Sequence, residues 1–108
     1  MEGSRPRIDL IDCPKGIKVR FKIRVQPICS VTGYIDECEA IIEYLSDGRC
    51  LEIYSLLQYV LSYNRVTLTN EELADKIYRD LMEELNNQTL QVKVRCMYQN
   101  AVLEIEIP

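Results

Sequence analysis

IKVRFKIRV, residues 17–25, alternates strictly between apolar and cationic side chains: Lys18, Arg20, Lys22 and Arg24 share one face, and Ile17, Val19, Phe21, Ile23 and Val25 the other. A period of two predicts a half-buried β-strand. Beyond it lies a loop, QPICSVTGYID (26–36), and then a second strand at about Cys38 to Leu45, with Cys38, Ala40, Ile42 and Tyr44 on one face. Ser46-Asp47-Gly48 ends that strand with turn chemistry. The period then changes. Ile53, Leu56, Leu57, Val60 and Leu61 fall on one helical stripe, and Leu73, Ile77, Leu81 and Leu85 on another. Thr69 with Glu72 three residues on is a capping-box signature for the second helix. Alternation returns in LQVKVRCMY (90–98) and AVLEIEI (101–107), which flank Gln99-Asn100 as a closing hairpin. The order strand, strand, helix, helix, strand, strand predicts an α+β domain over residues 17–108. It is a four-stranded antiparallel ββααββ sheet with two helices on one face. Residues 1–16 form a polar lead containing Pro and Gly, expected to be loosely held.

A sheet of this kind leaves two open edges, and 108 residues offer little to cover them, so edge-to-edge association into a homo-oligomer is expected. The residues before Gly16 contain no signal-peptide core, and no apolar run approaches the roughly 20 residues of a membrane span. A cytoplasmic protein without membrane attachment is therefore expected. Net charge is −4 but unevenly spread: residues 1–24 carry seven Lys or Arg against three acids, and the rest six against fourteen.

Cys13, Cys29, Cys38, Cys50 and Cys96 are odd in number and lack CxxC spacing, which suits reduced thiols better than disulfides or a zinc site. There is no histidine. That excludes Ser-His and Cys-His nucleophile pairs, histidine-ligated zinc and a histidine base, and no metal site is expected. Cys29 lies in the first loop, followed by Thr32-Gly33 and by Asp36. One reading makes it a small buried hydrophobe; the other makes it a thiolate whose proton partner is a carboxylate.

CSVTGYID (29–36), EIYSLLQY (52–59) and Asn70-Glu71 together resemble the QueF nitrile reductases, with their pattern C-P-x-T-G-x-x-D, then E-S-K-S-x-K-x-Y, then H-E, at the same separations. The resemblance implies the tunnelling fold, whose members assemble edge to edge into rings, here pentameric rings or a decamer. It puts Cys29 on the nucleophile that forms a thioimide with the nitrile of 7-cyano-7-deazaguanine, and Asp36 on its proton-transfer partner. Glu71 falls on the glutamate that reads the guanine-like edge, with Asn70, Leu51, Glu52 and Ile53 at the substrate. Glu71 could equally complement a helix dipole.

The departures matter as much. The two lysines that meet the NADPH phosphates in the reductases are Tyr54 and Leu57 here, and no glycine-rich phosphate loop replaces them. Ile53 stands for the motif's first serine, and Asn70 for its histidine. A thioimide without a hydride donor is open to a nitrogen nucleophile. This is the chemistry of the archaeal QueF-like amidinotransferases, which convert the cyano base in tRNA to archaeosine with ammonia and no metal or organic cofactor. Alternatives are an NADPH-dependent nitrile reductase and a non-catalytic deazapurine- or RNA-binding module. Lys18, Arg20, Lys22 and Arg24, with Lys93 and Arg95 beside them, could follow tRNA phosphates. Alternatively they pair across the sheet with acids such as Glu104 and Glu106.

Overall fold

The computed structural model describes residues 5–108, and its strands and helices fall where the two periods lie. In chain order they are β1 (Leu10–Asp12), β2 (Lys18–Val25), β3 (Ile28–Cys29), β4 (Glu37–Leu45), β5 (Arg49–Leu51), α1 (Ile53–Leu61), β6 (Thr67–Leu68), α2 (Asn70–Leu85), β7 (Gln91–Met97) and β8 (Val102–Ile107). The main sheet has the order β2-β4-β7-β8 with every pairing antiparallel. Both helices pack on one face of it, α1 against β2 and α2 against β7 and β8.

Register explains the core. Phe21 pairs with Ile42, Ile42 with Val92, and Val94 with Ile105, so the even row of β4 meets the apolar rows of both neighbours. Leu73, Ile77, Leu81 and Leu85 are fully buried, as the helical stripe predicts. The stripe of α1 is rotated: Leu56, Tyr59 and Val60 are buried, whereas Ile53 and Leu61 are exposed. Tyr59 can enter the core because its hydroxyl bonds Asp80 and Tyr63, which offsets the cost of burying it.

The capping box is present: the Thr69 hydroxyl accepts from the Glu72 N–H, and the Glu72 carboxylate accepts from the Thr69 N–H. Thr69→Ala is expected to cost about 1 kcal/mol of stability in chemical denaturation. Asn86 ends α2 in the left-handed conformation (φ 48°), which Asn tolerates better than most residues.

Two expectations need correction. Four of the five cysteines are not free thiols: Cys13 is bonded to Cys50 and Cys38 to Cys96, across sequence separations of 37 and 58 residues. Folding creates both proximities, β1 pairing with β5 and β4 with β7, so no local spacing could reveal them. The lead is also not loose from Arg5 onward; its first four residues lie outside those described. Ile8 is buried, β1 pairs with β5, and Arg5 bridges Asp80, Glu83 and Glu84 of α2 at 3.5, 3.3 and 2.8 Å.

Candidate active site

Disulfide formation singles out Cys29 as the free cysteine among the described residues. It ends β3, whose parallel pairing sets Cys29 beside Leu68 and the approach to α2. The loop after it folds back tightly. The Cys29 N–H donates to the Tyr34 carbonyl and the Gly33 N–H to the Cys29 carbonyl, both at 2.8 Å. Gly33 holds φ +80°, where a side chain would be strained, so the glycine is a backbone requirement.

This fold-back directs donors at the sulfur. The Thr32 hydroxyl, which accepts from the Tyr34 N–H at 3.2 Å, is the main cause of a Cys29 thiol pKa below its ordinary value; the Thr32 and Val31 N–H groups add to it. Burial and the Asp36 charge oppose the shift without reversing it. Hydrogen bonds to the thiolate favour the nucleophilic form.

Asp36, buried to 6% exposure, stands at the other end of the loop, tied by its N–H to the Pro27 carbonyl. Its Oδ2 accepts from the Asn70 amide at 3.2 Å and from the Tyr98 hydroxyl at 3.1 Å, while the same amide donates to the Tyr98 oxygen at 2.8 Å. Tyr98 escaped the sequence reading, although its parity gives it away. Residues 92, 94 and 96 of β7 face the core, as do 38 to 44 of β4 in steps of two. Cys38 pairs with Cys96, so one step outward the same rows bring Asp36 opposite Tyr98.

Glu71 follows Asn70 in the first turn of α2, exposed and without a hydrogen bond or ion pair among the described residues. Cys29, Asp36, Asn70 and Glu71 thus share one end of the fold. Leu51, Glu52 and Ile53 do not join them within one chain. The Leu51 N–H donates to the Tyr44 hydroxyl near the far end of β4, and eight residues of strand separate Asp36 from Tyr44, roughly 25 Å. Leu51 is buried, and the Glu52 carboxylate caps α1 by accepting from the Tyr54 and Ser55 N–H groups, which lower its pKa.

Lys18, Arg20, Lys22 and Arg24 do lie on the exposed, helix-free face, but not as a purely basic stripe. Glu43 pairs with Arg20 and, at 3.9 Å, with Lys18; Glu104 and Glu106 pair with Lys93, and Glu104 with Arg95. Arg24 stands opposite Glu39. A hollow on this face, lined by Arg20, Lys22, Glu43, Lys93 and Glu106 among others, has walls of both signs and does not include Cys29.

A nicotinamide dinucleotide would need a cationic anchor, and α1 has no Lys or Arg along its whole length. Tyr54 projects into solvent and Leu57 packs on the core, so the residues at the two lysine positions of the reductases do not fit its phosphates. No helix among the described residues is long and apolar enough to cross a membrane.

Known proteins resemble this arrangement in sequence and in shape. An archaeosine synthase of Pyrobaculum calidifontis is 28% identical over 87 residues, covering 81% of this chain and 80% of the relative. An NADPH-dependent 7-cyano-7-deazaguanine reductase of Elusimicrobium minutum is 30% identical over 88 residues, covering 76% and 67%. The crystal structure of an archaeosine synthase QueF-Like in the apo form superposes with a TM-score of 0.79 at 26% identity, over 88% of this chain and 93% of that one. The family profile described as QueF-like protein matches residues 36–102, from the buried carboxylate through α1 and α2 to the last hairpin, and with most of the chain so matched, the protein belongs to the QueF-like family.

Proposed function

We propose that the chain is a tRNA-modifying amidinotransferase that converts 7-cyano-7-deazaguanine in tRNA to archaeosine, with ammonia as nitrogen donor and no organic cofactor or metal. The observation that carries this reading is Cys29, a free thiol with a lowered pKa in a donor-lined loop beside buried Asp36. The thiolate adds to the nitrile carbon while its former proton, passed through Asp36, goes to the nitrile nitrogen, giving a thioimide. Ammonia then adds to the same carbon, its surplus proton leaves through Asp36, and the C–S bond breaks to return Cys29 and release the formamidine. Oxidation state is unchanged throughout, so no hydride donor is required. The lack of a cation on α1 favours this outcome over reduction.

Glu71, exposed and unengaged, is suited to accept hydrogen bonds from the ring N–H and exocyclic amine of the base. Glu71→Gln is expected to raise KM on the order of 10- to 100-fold in steady-state assays, since hydrogen bonds to a charged group contribute about 1.5–3 kcal/mol each. Glu52 and Ile53, at the start of α1, would be supplied by a neighbouring copy in a homo-oligomeric ring, with buried Leu51 supporting them from within its own chain. Exposed apolar side chains at both ends support that arrangement: Val31 and Tyr34 near Cys29, Ile53 and Tyr54 at the start of α1. The reaction is set in the cytoplasm, where its tRNA is.

The deciding assay incubates the protein with tRNA carrying the cyano base and ammonium, then weighs the released nucleoside. A formamidine product without NADPH supports the proposal. An aminomethyl product that requires NADPH, or no product at any ammonium concentration, overturns it.

A further inference from the structure

We propose that Tyr98 is a positioning residue that, together with Asn70, fixes Asp36 by one carboxylate oxygen and leaves the other to carry protons at Cys29. This rests on the reading of Cys29 and Asp36 given above and adds a residue that the family motifs do not contain. The three hydrogen bonds form a closed ring with only one proton assignment. The Asn70 amide has two N–H groups, one for Asp36 Oδ2 at 3.2 Å and one for the Tyr98 oxygen at 2.8 Å. With that oxygen accepting from Asn70, the phenol's single proton is directed to Asp36 Oδ2 at 3.1 Å.

Both donors converge on Oδ2, and Oδ1 has no hydrogen-bond partner among the described residues. Every fully buried side-chain N or O atom among them is partnered, so Oδ1 must be the oxygen that still reaches the surface of this otherwise buried residue. A carboxylate held in this way by two donors on Oδ2 is restrained from turning, which keeps Oδ1 on the side away from Asn70 and Tyr98. The phenol is also kept as a donor, since burial first and then the hydrogen bond to Asp36 push its pKa above the ordinary tyrosine value. Tyr98 is suited to the task by position: it directly follows β7 at the final hairpin, where its N–H bonds the Ala101 carbonyl, and its ring, 43% exposed, is held by the hydroxyl's contacts with Asp36 and Asn70.

Two measurements test the proposal. Thioimide formation with 7-cyano-7-deazaguanine carried in tRNA, followed by intact mass, should slow on the order of 10- to 100-fold in Tyr98→Phe, a fraction of the 10²- to 10⁴-fold that a general acid-base group supplies. KM should be little changed, and in an Asp36→Asn background the same substitution should have no further effect. A slowing of equal size in both backgrounds, a change confined to KM, or no slowing overturns the proposal. Separately, the Tyr98 ring carbon bearing the hydroxyl, followed by carbon NMR, should titrate at lower pH in Asp36→Asn than in wild type. An unmoved titration removes the link between the two residues whatever the enzyme's activity. A wild-type protein that forms no thioimide would instead defeat the proposed function, with the NMR titration still deciding whether Tyr98 engages Asp36.

Discussion

Cys29→Ala protein is expected to form no mass adduct with 7-cyano-7-deazaguanine and to lose amidine formation by on the order of 10⁴-fold or more, as expected when a covalent nucleophile is removed. Fold should be unaffected, because Cys29 is only partly buried and belongs to neither disulfide. The pH dependence adds a second check. An unperturbed thiol titrates near pH ~8.5, and the Cys29 pKa is lowered first by the Thr32 hydroxyl and then by two backbone N–H groups. Thiolate therefore persists to lower pH than usual, and alkylation of Cys29 should reach half its maximal rate below that value. Thr32→Val removes the leading donor while keeping the side chain's shape, so the alkylation curve should move to higher pH. If the Thr32→Val curve coincides with wild type, the hydroxyl is not what activates the sulfur. If Cys29→Ala retains turnover, the covalent route itself is wrong.

The sheet and both helices were legible because each obeys a single period over several turns or pleats, which is how one buried face writes itself into a sequence. Leu73, Ile77, Leu81 and Leu85 show this plainly, all fully buried on one side of α2. The buried stripe of α1 is turned by about one position from its apolar spacing, because an apolar count passes over Tyr59, and Asp80, 21 residues away, provides the partner that lets its hydroxyl turn inward. At the site, local spacing made Cys29 and Asp36 visible, whereas Tyr98 enters from a strand 62 residues beyond Asp36. Its signal lay in parity, as the polar continuation of two apolar rows, and is readable once the β4-β7 register is known. Glu52 and Ile53 carry motif positions in the sequence, with Leu51 just before them, yet all three stand at the far end of β4, and motif spacing contains no information about which copy of a chain a residue serves.

Alkylating the denatured protein without reductant should label one thiol per chain, and labelling after reduction should reach five; the first label should map to Cys29. Five labels without reductant would sink the bridge assignment. Reduction should also lower Tm by at least about 15 °C, since loops of this size correspond to roughly 4 kcal/mol per bridge in the chain-entropy account and each kcal/mol moves Tm by about 4–8 °C in a domain near 100 residues. The two bridges will not add fully because their loops overlap in sequence. They should differ in consequence. Cys13–Cys50 pins the lead to β5, at the end of the fold away from Cys29. Cys38–Cys96 joins β4 to β7 two register pairs inward from Asp36 and Tyr98, on the same face, with both residues buried. Cys13→Ser with Cys50→Ser should therefore lose stability while keeping the rate of thioimide formation below the new Tm. Cys38→Ala with Cys96→Ala should lose both, because opening that pair lets the strands that hold Asp36 against the Tyr98 hydroxyl move apart, and equal rates in the two double variants would show that the inner bridge serves stability alone.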